Sequence, residues 1–226
     1  EIGVSKANST VDVSLLEHCV RDDLKEKVET RNVVFDPIKV VITNYPEGQS
    51  ELCEVENNPA VPEMGVRDIP FSREIWVDGE DFMEVPAKKY FRLFPGNEVR
   101  LKGAYFITCQ EAVKNEDGSI KELHCTYDPE TKSGSGFEGR KVKGTIHFVD
   151  AATAVPIKIR QFDYLMSEGE DGKMVANEDT MREIVCYAEP KGLEAVPGER
   201  FQTRIFRGGL QALQKRKSGV QRDYRS

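Results

Sequence analysis

The spacing of apolar residues predicts one helix at the start of the chain and strands after it. Within residues 14–28, Leu16, Val20 and Leu24 fall four residues apart, which places one apolar stripe along an amphipathic helix. Beyond residue 30 this period disappears, and β-branched runs or strict alternation take its place. The pattern therefore changes once, from helical to extended.

Short apolar runs then recur at intervals of roughly ten residues, separated by turns rich in glycine, proline and asparagine. The predicted strands are residues 33–35, 38–43, 74–78, 104–108, 123–127, 141–149, 157–160 and 184–188. Residues 57–70 are predicted to form an ordered loop, and the acidic residues 167–179 a mobile one. Many short strands at this spacing favour a mainly β protein built from β-barrels over an α/β sheet.

One strongly basic segment, residues 87–103, carries five lysines and arginines against a single acid. Residues 95–97, Pro-Gly-Asn, predict a turn in its middle, and so a basic β-hairpin. After the turn the sequence alternates, which places Arg100 and Lys102 on the same side of a strand. Two cations on a rigid strand suit phosphates or guanine edges. The alternative is a hairpin whose charged outer face is only solvated.

Charge and composition limit the classes of function. A net charge of −7 over 226 residues argues against polyanion binding by the whole surface. A local basic groove remains possible, because exposed charges more than about 10 Å apart are largely screened. Residues 200–226 hold eight basic residues and one acid, and from Thr203 on the pattern predicts a disordered or loosely helical tail. The sequence has no transmembrane run and no signal peptide, and its start at Glu1 suggests a fragment of a longer protein.

The sequence offers no constellation for catalysis or metal binding. Its five cysteines show no CxxC spacing, which predicts reduced thiols, and its three histidines stand apart from other ligand types. Residues 132–136 form a glycine-rich loop without the Gly-Lys-Ser/Thr ending of a phosphate-binding loop. From the residues alone, the prediction is a soluble, mainly β protein with an N-terminal helix and a basic hairpin.

Longer strings of the sequence are more specific than any of these patterns. They are residues 2–6 (IGVSK), 16–24 (LEHCVRDDL), 36–45 (DPIKVVITNY), 69–76 (IPFSREIW), 97–101 (NEVRL), 125–128 (CTYD) and 139–147 (GRKVKGTIH). Together they resemble the C-terminal, anticodon-binding region of bacterial-type glutaminyl-tRNA synthetases. The resemblance covers about residues 1–202 in register.

The resemblance implies two β-barrels preceded by a short helical connector. Residues 1–30 would form the connector, residues 31–44 plus 145–226 a proximal barrel, and residues 45–144 a distal barrel. The parent would be a class I glutamine–tRNA ligase that uses ATP and Mg²⁺. This region lacks the family's catalytic motifs, so it is expected to hold no cofactor and to be inactive alone. The resemblance also implies a cytoplasmic monomer that binds the anticodon loop of glutamine tRNA.

The family's pattern also implies which residues contact RNA. Arg92, in the string Lys89-Tyr90-Phe91-Arg92, falls where the third anticodon base is read, with Lys89 and Phe91 beside it. Arg100 and Lys102 fall where the wobble base and its phosphate are held. Lys102 replaces a second arginine of some relatives, which keeps the charge but loses the planar fork.

Two further residues correspond less closely to the family's pattern. Gln202 matches a residue that binds the middle base in the cleft between the barrels. Arg31 lies one place later than the family's middle-base arginine. Residues 203–207, Thr-Arg-Ile-Phe-Arg, replace the family's usual continuation, and this departure leaves the closing strands of the proximal barrel undefined.

Three other functions remain open. The same module occurs in glutamyl-tRNA synthetases of archaeal or eukaryotic type, which would recognise glutamate anticodons. A free-standing barrel protein that binds ribosomal RNA would show similar strands without an attached enzyme. A structural domain with no nucleic-acid partner would leave the basic hairpin solvated.

Overall fold

The protein is described here from a computed structural model, which covers residues 13–168, 172–178, 180–190 and 218–221. Within these residues one helix, α1 (Val13–Lys25), precedes the strands, as predicted. The strands are β1 (Val33–Phe35), β2 (Ile38–Ile42), β3 (Ser50–Glu56), β4 (Val66–Ser72), β5 (Glu74–Val77), β6 (Glu98–Leu101), β7 (Phe106–Lys114), β8 (Ile120–Asp128), β9 (Thr145–Ile146), β10 (Phe148–Asp150), β11 (Val155–Asp163), β12 (Met166–Glu168), β13 (Met174–Ala176), β14 (Met181–Ala188) and β15 (Ser218–Gln221). The mainly β fold class is confirmed.

The C-terminal end of α1 is fixed to the β-rich part of the chain. The last carbonyl groups of a helix have no partners within it and need outside donors. The Asn58 side-chain amide donates to the carbonyl of Lys25, the last helical residue, at 2.8 Å, and to Val28 O, just beyond the helix, at 2.9 Å. Asn58 is itself buried, so the helix end is held against the β3–β4 region.

The largest sheet has seven strands in the order β10-β5-β2-β8-β7-β6-β9. Its two edge strands are almost one segment, because only His147 separates β9 from β10. The start of that segment pairs parallel with β6, and its end pairs antiparallel with β5. The segment therefore borders both edges of the sheet, which curls into a nearly closed barrel. This closure removes edges that would otherwise expose unpaired backbone groups.

A large apolar core fills this barrel and is covered by the β3–β4 hairpin. Phe71 of β4 and Phe148 of β10 are fully buried, and their ring centroids lie 5.6 Å apart in an edge-to-face arrangement. Tyr45 packs edge-to-face on Phe71 at 5.2 Å and donates its hydroxyl to Glu51 at 3.1 Å. Buried aromatic groups contribute most where they pack at such angles and satisfy their hydroxyls.

A second sheet has four strands in the order β1-β14-β11-β15 and its own small core. Several contacts join it to the barrel, among them one ring stack and two hydrogen-bond contacts. His147 Nε2 lies 2.7 Å from Val33 O, and the Asn32 side-chain amide donates to Phe148 O at 3.3 Å. Trp76 stacks on Tyr187 with centroids 4.7 Å apart. The domain boundaries at residues 44/45 and 144/145 stay a proposal, and both β2 and β10 lie in the seven-stranded sheet.

The prediction of a loop over residues 57–70 was wrong for its second half, which forms most of β4. Arg67 occupies the first inward position of β4, two residues before buried Ile69. A charged residue at an inward position interrupts the apolar alternation. Pro70 also argues against a strand in the sequence, because proline has no N–H to donate. Proline is nevertheless tolerated in edge strands, and both strands of a two-stranded hairpin are edge strands. These two residues concealed β4. Its partner β3 has only Cys53 and Val55 as buried positions, set among glutamates, and so gives a weak apolar pattern.

Two other predicted irregular segments contain strands. Residues 167–179 were predicted to be a mobile loop, but β12 and β13 pair as a short antiparallel hairpin there. The three side chains of β13 are all exposed, so that strand gives no alternation of buried and exposed positions for the sequence to reveal. Residues 218–221 of the predicted tail form β15, which pairs antiparallel with β11.

The predicted basic hairpin over residues 87–103 was also wrong in its pairing. The Pro95-Gly96 turn is present, with Asn97 N donating to Phe94 O at 2.9 Å and Gly96 at φ 84°. The residues before it form a loop rather than a strand, and β6 pairs with β7 and β9 instead. We call residues 82–97 the basic loop.

Candidate nucleic-acid interface

The basic loop and β6 meet at Gly144, in a junction that we call the Phe91–Gly144–Arg100 junction. The Arg100 backbone N–H donates to Gly144 O at 2.9 Å. On the other side of Gly144, a Cβ atom would lie 1.8 Å from Phe91 O, so only glycine fits between these two elements. Phe91 and Arg100 therefore lie close together although the loop and the strand are not paired.

Phe91 is a solvent-facing aromatic ring beside a cation. Its side chain is 46% exposed, which is unusual for a phenylalanine in a folded protein. The ammonium of Lys143 lies 5.2 Å from the ring centroid, within cation–π distance. An exposed ring next to a lysine can stack on an unpaired base while the ammonium contacts its phosphate.

Arg100 lies on the outer face of β6, as the alternation predicted, because Val99 and Leu101 are fully buried. Its guanidinium carbon lies 4.6 Å from the centroid of Phe106, the residue opposite it on β7. Arg140 lies over the same ring at 5.3 Å. Two guanidinium groups are thus held against one buried ring.

Arg140 is paired with two acids on this surface. It donates from Nε to Glu98 at 2.9 Å and from Nη2 to Asp128 at 2.8 Å. The Arg140 hydrogen bond holds the pKa of Asp128 below its usual value. These acids neutralise Arg140 more than Arg100, so Arg100 is the better candidate for an RNA contact.

Arg92 lies in the basic loop against a buried acid. Its Nη1 lies 2.9 Å from Asp81 Oδ1 and donates to Glu80 O at 3.4 Å. The Arg92 side chain is 42% exposed, whereas that of Asp81 is 6% exposed. Burial raises the pKa of Asp81 to about 6. Arg92 therefore has one end anchored in the protein and the other open to solvent.

The two lysines predicted at this site, Lys89 and Lys102, differ in exposure. Lys89 is exposed in the basic loop, with a left-handed φ of 67°. Lys102 lies at the turn after β6, and its ammonium nitrogen is buried. At the next position a Cβ on Gly103 would lie 2.7 Å from Glu54 O, so this turn packs closely against β3. A role of Lys102 at a phosphate stays a prediction.

Arg31 belongs to a separate cluster between the barrel and the second sheet. It forms an ion pair with Glu29, and its Nε lies 4.0 Å from Oε1 of buried Glu189. Glu189 also accepts from Nε of buried Arg67 at 3.1 Å and from Asn32 N at 3.0 Å. Arg31 is thus held by acids near a buried ion pair.

The structure brings Phe91 and Arg100 to one junction at Gly144. Arg92 and Lys89 lie on the same loop as Phe91, and Arg31 belongs to a separate cluster of acids. Gln202 lies outside the described residues. Sequence reasoning did not single out Lys143 or Arg140, although both lie in the basic string at residues 139–147. The string holds three cations within four residues, 140–143, and that local density was the signal that could have found them.

The described ranges contain no cluster of three or more metal-ligating side chains and no helix capable of crossing a bilayer. All five cysteines are free thiols. The chemistry available at the interface is therefore that of guanidinium, ammonium and aromatic groups, which bind phosphates and bases.

Comparison with known proteins gives two family matches. Models described as "tRNA synthetases class I (E and Q), anti-codon binding domain" match residues 31–128 and 145–204. A glutamine–tRNA ligase of Clostridium perfringens is 51% identical over 214 residues, which cover 92% of this chain and 38% of that protein.

Two other glutamine–tRNA ligases match the chain with similar identity and coverage. The glutamine–tRNA ligase of Clostridium kluyveri is 48% identical over 94% of this chain and 39% of its own length. That of Clostridioides difficile is 49% identical over 89% of this chain and 38% of its own length. The chain spans about two fifths of the length of the curated relatives it matches.

Proposed function

Because the chain belongs to the anticodon-binding domains of class I glutamyl- and glutaminyl-tRNA synthetases, we propose that it recognises the anticodon loop of glutamine tRNA. The relatives at about half identity are glutamine–tRNA ligases, which favours glutamine over glutamate. The observation that carries the proposal is the junction at Gly144, where Phe91, Arg100 and Lys143 lie side by side with Arg92 adjacent in the chain.

This arrangement suits single-stranded RNA. Proteins read RNA best where bases are splayed out, as in an anticodon loop, and can stack on aromatic rings or meet fixed donors. The exposed Phe91 ring offers the stacking surface, and Arg92 and Arg100 offer guanidinium donors. Lys143 and Lys89 add exposed positive charge for the phosphates.

Arg92 is proposed to read the third anticodon base. Glutamine anticodons, CUG and UUG, end in guanine, whereas glutamate anticodons, CUC and UUC, end in cytosine. Guanine presents two adjacent acceptors, N7 and O6, to a guanidinium, while cytosine presents an amino donor. One such bidentate contact discriminates by about 1–3 kcal/mol, or roughly 5- to 150-fold, by analogy with DNA readout.

The test is a titration of the chain with RNA hairpins whose loops carry CUG or CUC. We expect tighter binding of CUG, and we expect Arg92→Ala to abolish that preference. Arg100→Ala should weaken both hairpins, because its proposed contacts are at the wobble base and its phosphate. Arg182→Ala, on β14, removes a similarly exposed arginine from the second sheet and is the matched control.

The results separate the remaining alternatives. A preference for CUC would assign the region to a glutamyl-tRNA synthetase instead. Equal binding of both loops, unchanged in Arg92→Ala and Arg100→Ala, would remove the anticodon assignment. A ribosomal-RNA-binding barrel would also show no dependence on the three loop bases, and a purely structural domain would bind neither hairpin.

For the whole protein we propose a cytoplasmic, monomeric class I ligase that attaches glutamine to its tRNA. ATP and Mg²⁺, which that reaction needs, would bind outside residues 1–226, since the family's ATP motifs are absent from this sequence. The chain alone is expected to show no glutamine-dependent exchange of pyrophosphate into ATP. Residues 1–30 are proposed as the connector to the catalytic part, followed by the proximal and distal barrels.

A further inference from the structure

Asp81 is a buried carboxylate, and the apolar residues of the barrel core offer it no hydrogen bond or charge partner. It lies in a single turn of 3₁₀ helix (Gly79–Asp81), immediately before the basic loop. Its side chain is 6% exposed, and its Oδ1 lies 2.9 Å from Nη1 of Arg92. Burying a carboxylate is unfavourable unless a partner compensates for its lost hydration. Arg92 is that partner, and it is also the residue proposed to read a base.

The backbone of the basic loop is fixed on both sides of Arg92. Leu93 N donates to Asp81 O at 2.9 Å, and the Asn97 side-chain amide donates to Arg92 O at 2.7 Å. Beside them, the Tyr90 hydroxyl donates to Glu80 O at 3.0 Å. The loop is therefore anchored to the turn that carries Asp81, and the Arg92 side chain leaves a backbone of defined position.

The contacts of Arg92 divide its guanidinium into two edges. Among the described residues, both of its contacts use Nη1, one with Asp81 and one with Glu80 O. The edge formed by Nε and Nη2 has no partner in that part of the chain and belongs to a side chain that is 42% exposed. That edge carries two parallel N–H donors, the number needed for N7 and O6 of guanine.

We propose that Asp81 is a positioning residue for base recognition, which holds Arg92 by Nη1 so that its Nε–Nη2 edge faces the third anticodon base. This inference rests on the proposed function, since it concerns the arginine assigned there to base reading. A guanidinium that is already fixed loses less side-chain entropy when it binds a base. Its fixed direction also favours a base whose acceptors match that direction over a base whose groups do not. The negative charge of Asp81 also offsets part of the attraction of Arg92 for phosphates of any sequence.

Asp81 holds Arg92 in this way only while it is ionised. The charged and titratable groups around it are Arg92 and Tyr90 from the basic loop, His147 from between β9 and β10, and Asp78 and Glu80 from its own turn. From β1, the backbone N–H of Phe35 donates to Asp78, and Asp36 next to it pairs with Arg182. Burial raises the pKa of Asp81 to about 6, with His147 and Arg92 opposing the shift. Asp81 is therefore ionised at neutral pH and becomes protonated in mild acid.

The test measures a ratio rather than one affinity. The full chain and Asp81→Asn are titrated with the CUG and CUC hairpins, and the ratio of the two dissociation constants is compared. Asparagine has nearly the shape of aspartate but no charge. We expect Asp81→Asn to reduce the preference for CUG about five- to tenfold, while binding of CUC stays equal or becomes tighter.

Glu80→Gln is the matched control. It removes one negative charge from the neighbouring exposed position and keeps the backbone carbonyl that accepts from Arg92. A general charge effect would change both hairpins equally in Glu80→Gln and Asp81→Asn and leave the ratio unaltered. An unaltered ratio in Asp81→Asn would overturn the positioning role.

A second measurement needs no variant and holds even if Asp81→Asn fails to fold. In the unmodified chain, the preference for CUG should fall as pH decreases from about 8 to about 5, with its midpoint near the Asp81 pKa of about 6. A preference that is constant over this range contradicts the inference. If the unmodified chain shows no preference at any pH, it is the proposed function that fails.

Discussion

At the scale of single residues, Gly144 shows how one position can join two elements of the interface. It is buried, and its Cα lies between Phe91 O of the basic loop and the Arg100 N–H of β6. A larger residue would force these two elements apart. The requirement is for close approach rather than for an unusual backbone conformation.

Gly144→Ala is therefore expected to disturb both stability and binding. The added Cβ would lie 1.8 Å from Phe91 O, a backbone atom that cannot rotate away. Overpacking of this kind costs about 1–3 kcal/mol of unfolding free energy. Urea unfolding should show the loss, and affinity for the CUG hairpin should fall as Phe91 moves away from Arg100.

The exposed neighbour Thr145 provides the control for this substitution. Thr145→Ala changes a solvent-facing position of β9 and should alter stability by no more than about 0.5 kcal/mol. If Gly144→Ala unfolds at the same urea concentration as Thr145→Ala and binds RNA normally, the inference that Phe91 and Arg100 pack closely around Gly144 is wrong.

At the scale of elements, a buried ion pair fixes the β3–β4 hairpin to the second sheet. Arg67 of β4 meets Glu189, just after β14, with Nη2 2.8 Å from Oε1 and both side chains about 5% exposed. Asn32 exchanges hydrogen bonds with Glu189 at 3.0 and 3.1 Å, which adds the chain segment before β1. Three segments distant in sequence thus meet at one carboxylate.

Breaking this pair on one side should be costly. Arg67→Met leaves Glu189 buried without its main cation, and such uncompensated charges cost about 3–5 kcal/mol. Arg67→Met combined with Glu189→Gln should recover part of the loss, because no buried charge is then left unpaired. Denaturant unfolding of both single variants and the double variant gives the coupling as a double-mutant cycle.

An exposed ion pair between the same residue types serves for comparison. Arg160 and Glu183 lie 2.9 Å apart on β11 and β14, each with nearly half of its side chain exposed. Arg160→Met should cost only about 0–1 kcal/mol, because water screens such pairs. Similar losses for Arg67→Met and Arg160→Met would show that the Arg67–Glu189 pair does not hold the elements together.

At the scale of the whole molecule, the chain carries a net charge of −7 and yet is proposed to bind a polyanion. The cations of the interface are concentrated in one region, and exposed charges more than about 8–10 Å away are largely screened in physiological salt. Binding should therefore be salt dependent but modest in slope, because few phosphates are contacted.

We expect the logarithm of the binding constant for the CUG hairpin to fall with the logarithm of salt concentration with a slope of about −2 to −3. Each phosphate contacted by a single-stranded segment contributes about −0.7. Arg100→Ala should reduce the magnitude of the slope by about 0.7, whereas Arg92→Ala should leave it nearly unchanged and remove base preference. A slope near zero, or an equal effect of the two variants, would contradict this division of roles.

The sequence predicted those features that depend on local period. The helix at α1, most of the long strands and the buried positions of β6 follow from apolar spacing, because side chains repeat every 3.6 residues in helices and every two in strands. It missed β4, because Arg67 and Pro70 interrupt the apolar pattern, and β3, because only two of its seven residues are buried. It also assigned the basic segment to the wrong partner strand, because a turn signal does not identify which strand pairs next.

For the candidate site, the sequence determined which chemical groups are present, and the tertiary structure decided which residues contact each other. The basic segment, the family strings and the cations Arg92 and Arg100 were visible in the sequence. The pairing of Arg92 with Asp81 and the contact of Phe91 with Gly144 were not, nor was the closure of the sheet by residues 145–150. Most of these contacts join residues about 10 to 75 positions apart, and none follows a local period. They depend on how the whole barrel packs, which local spacing does not encode.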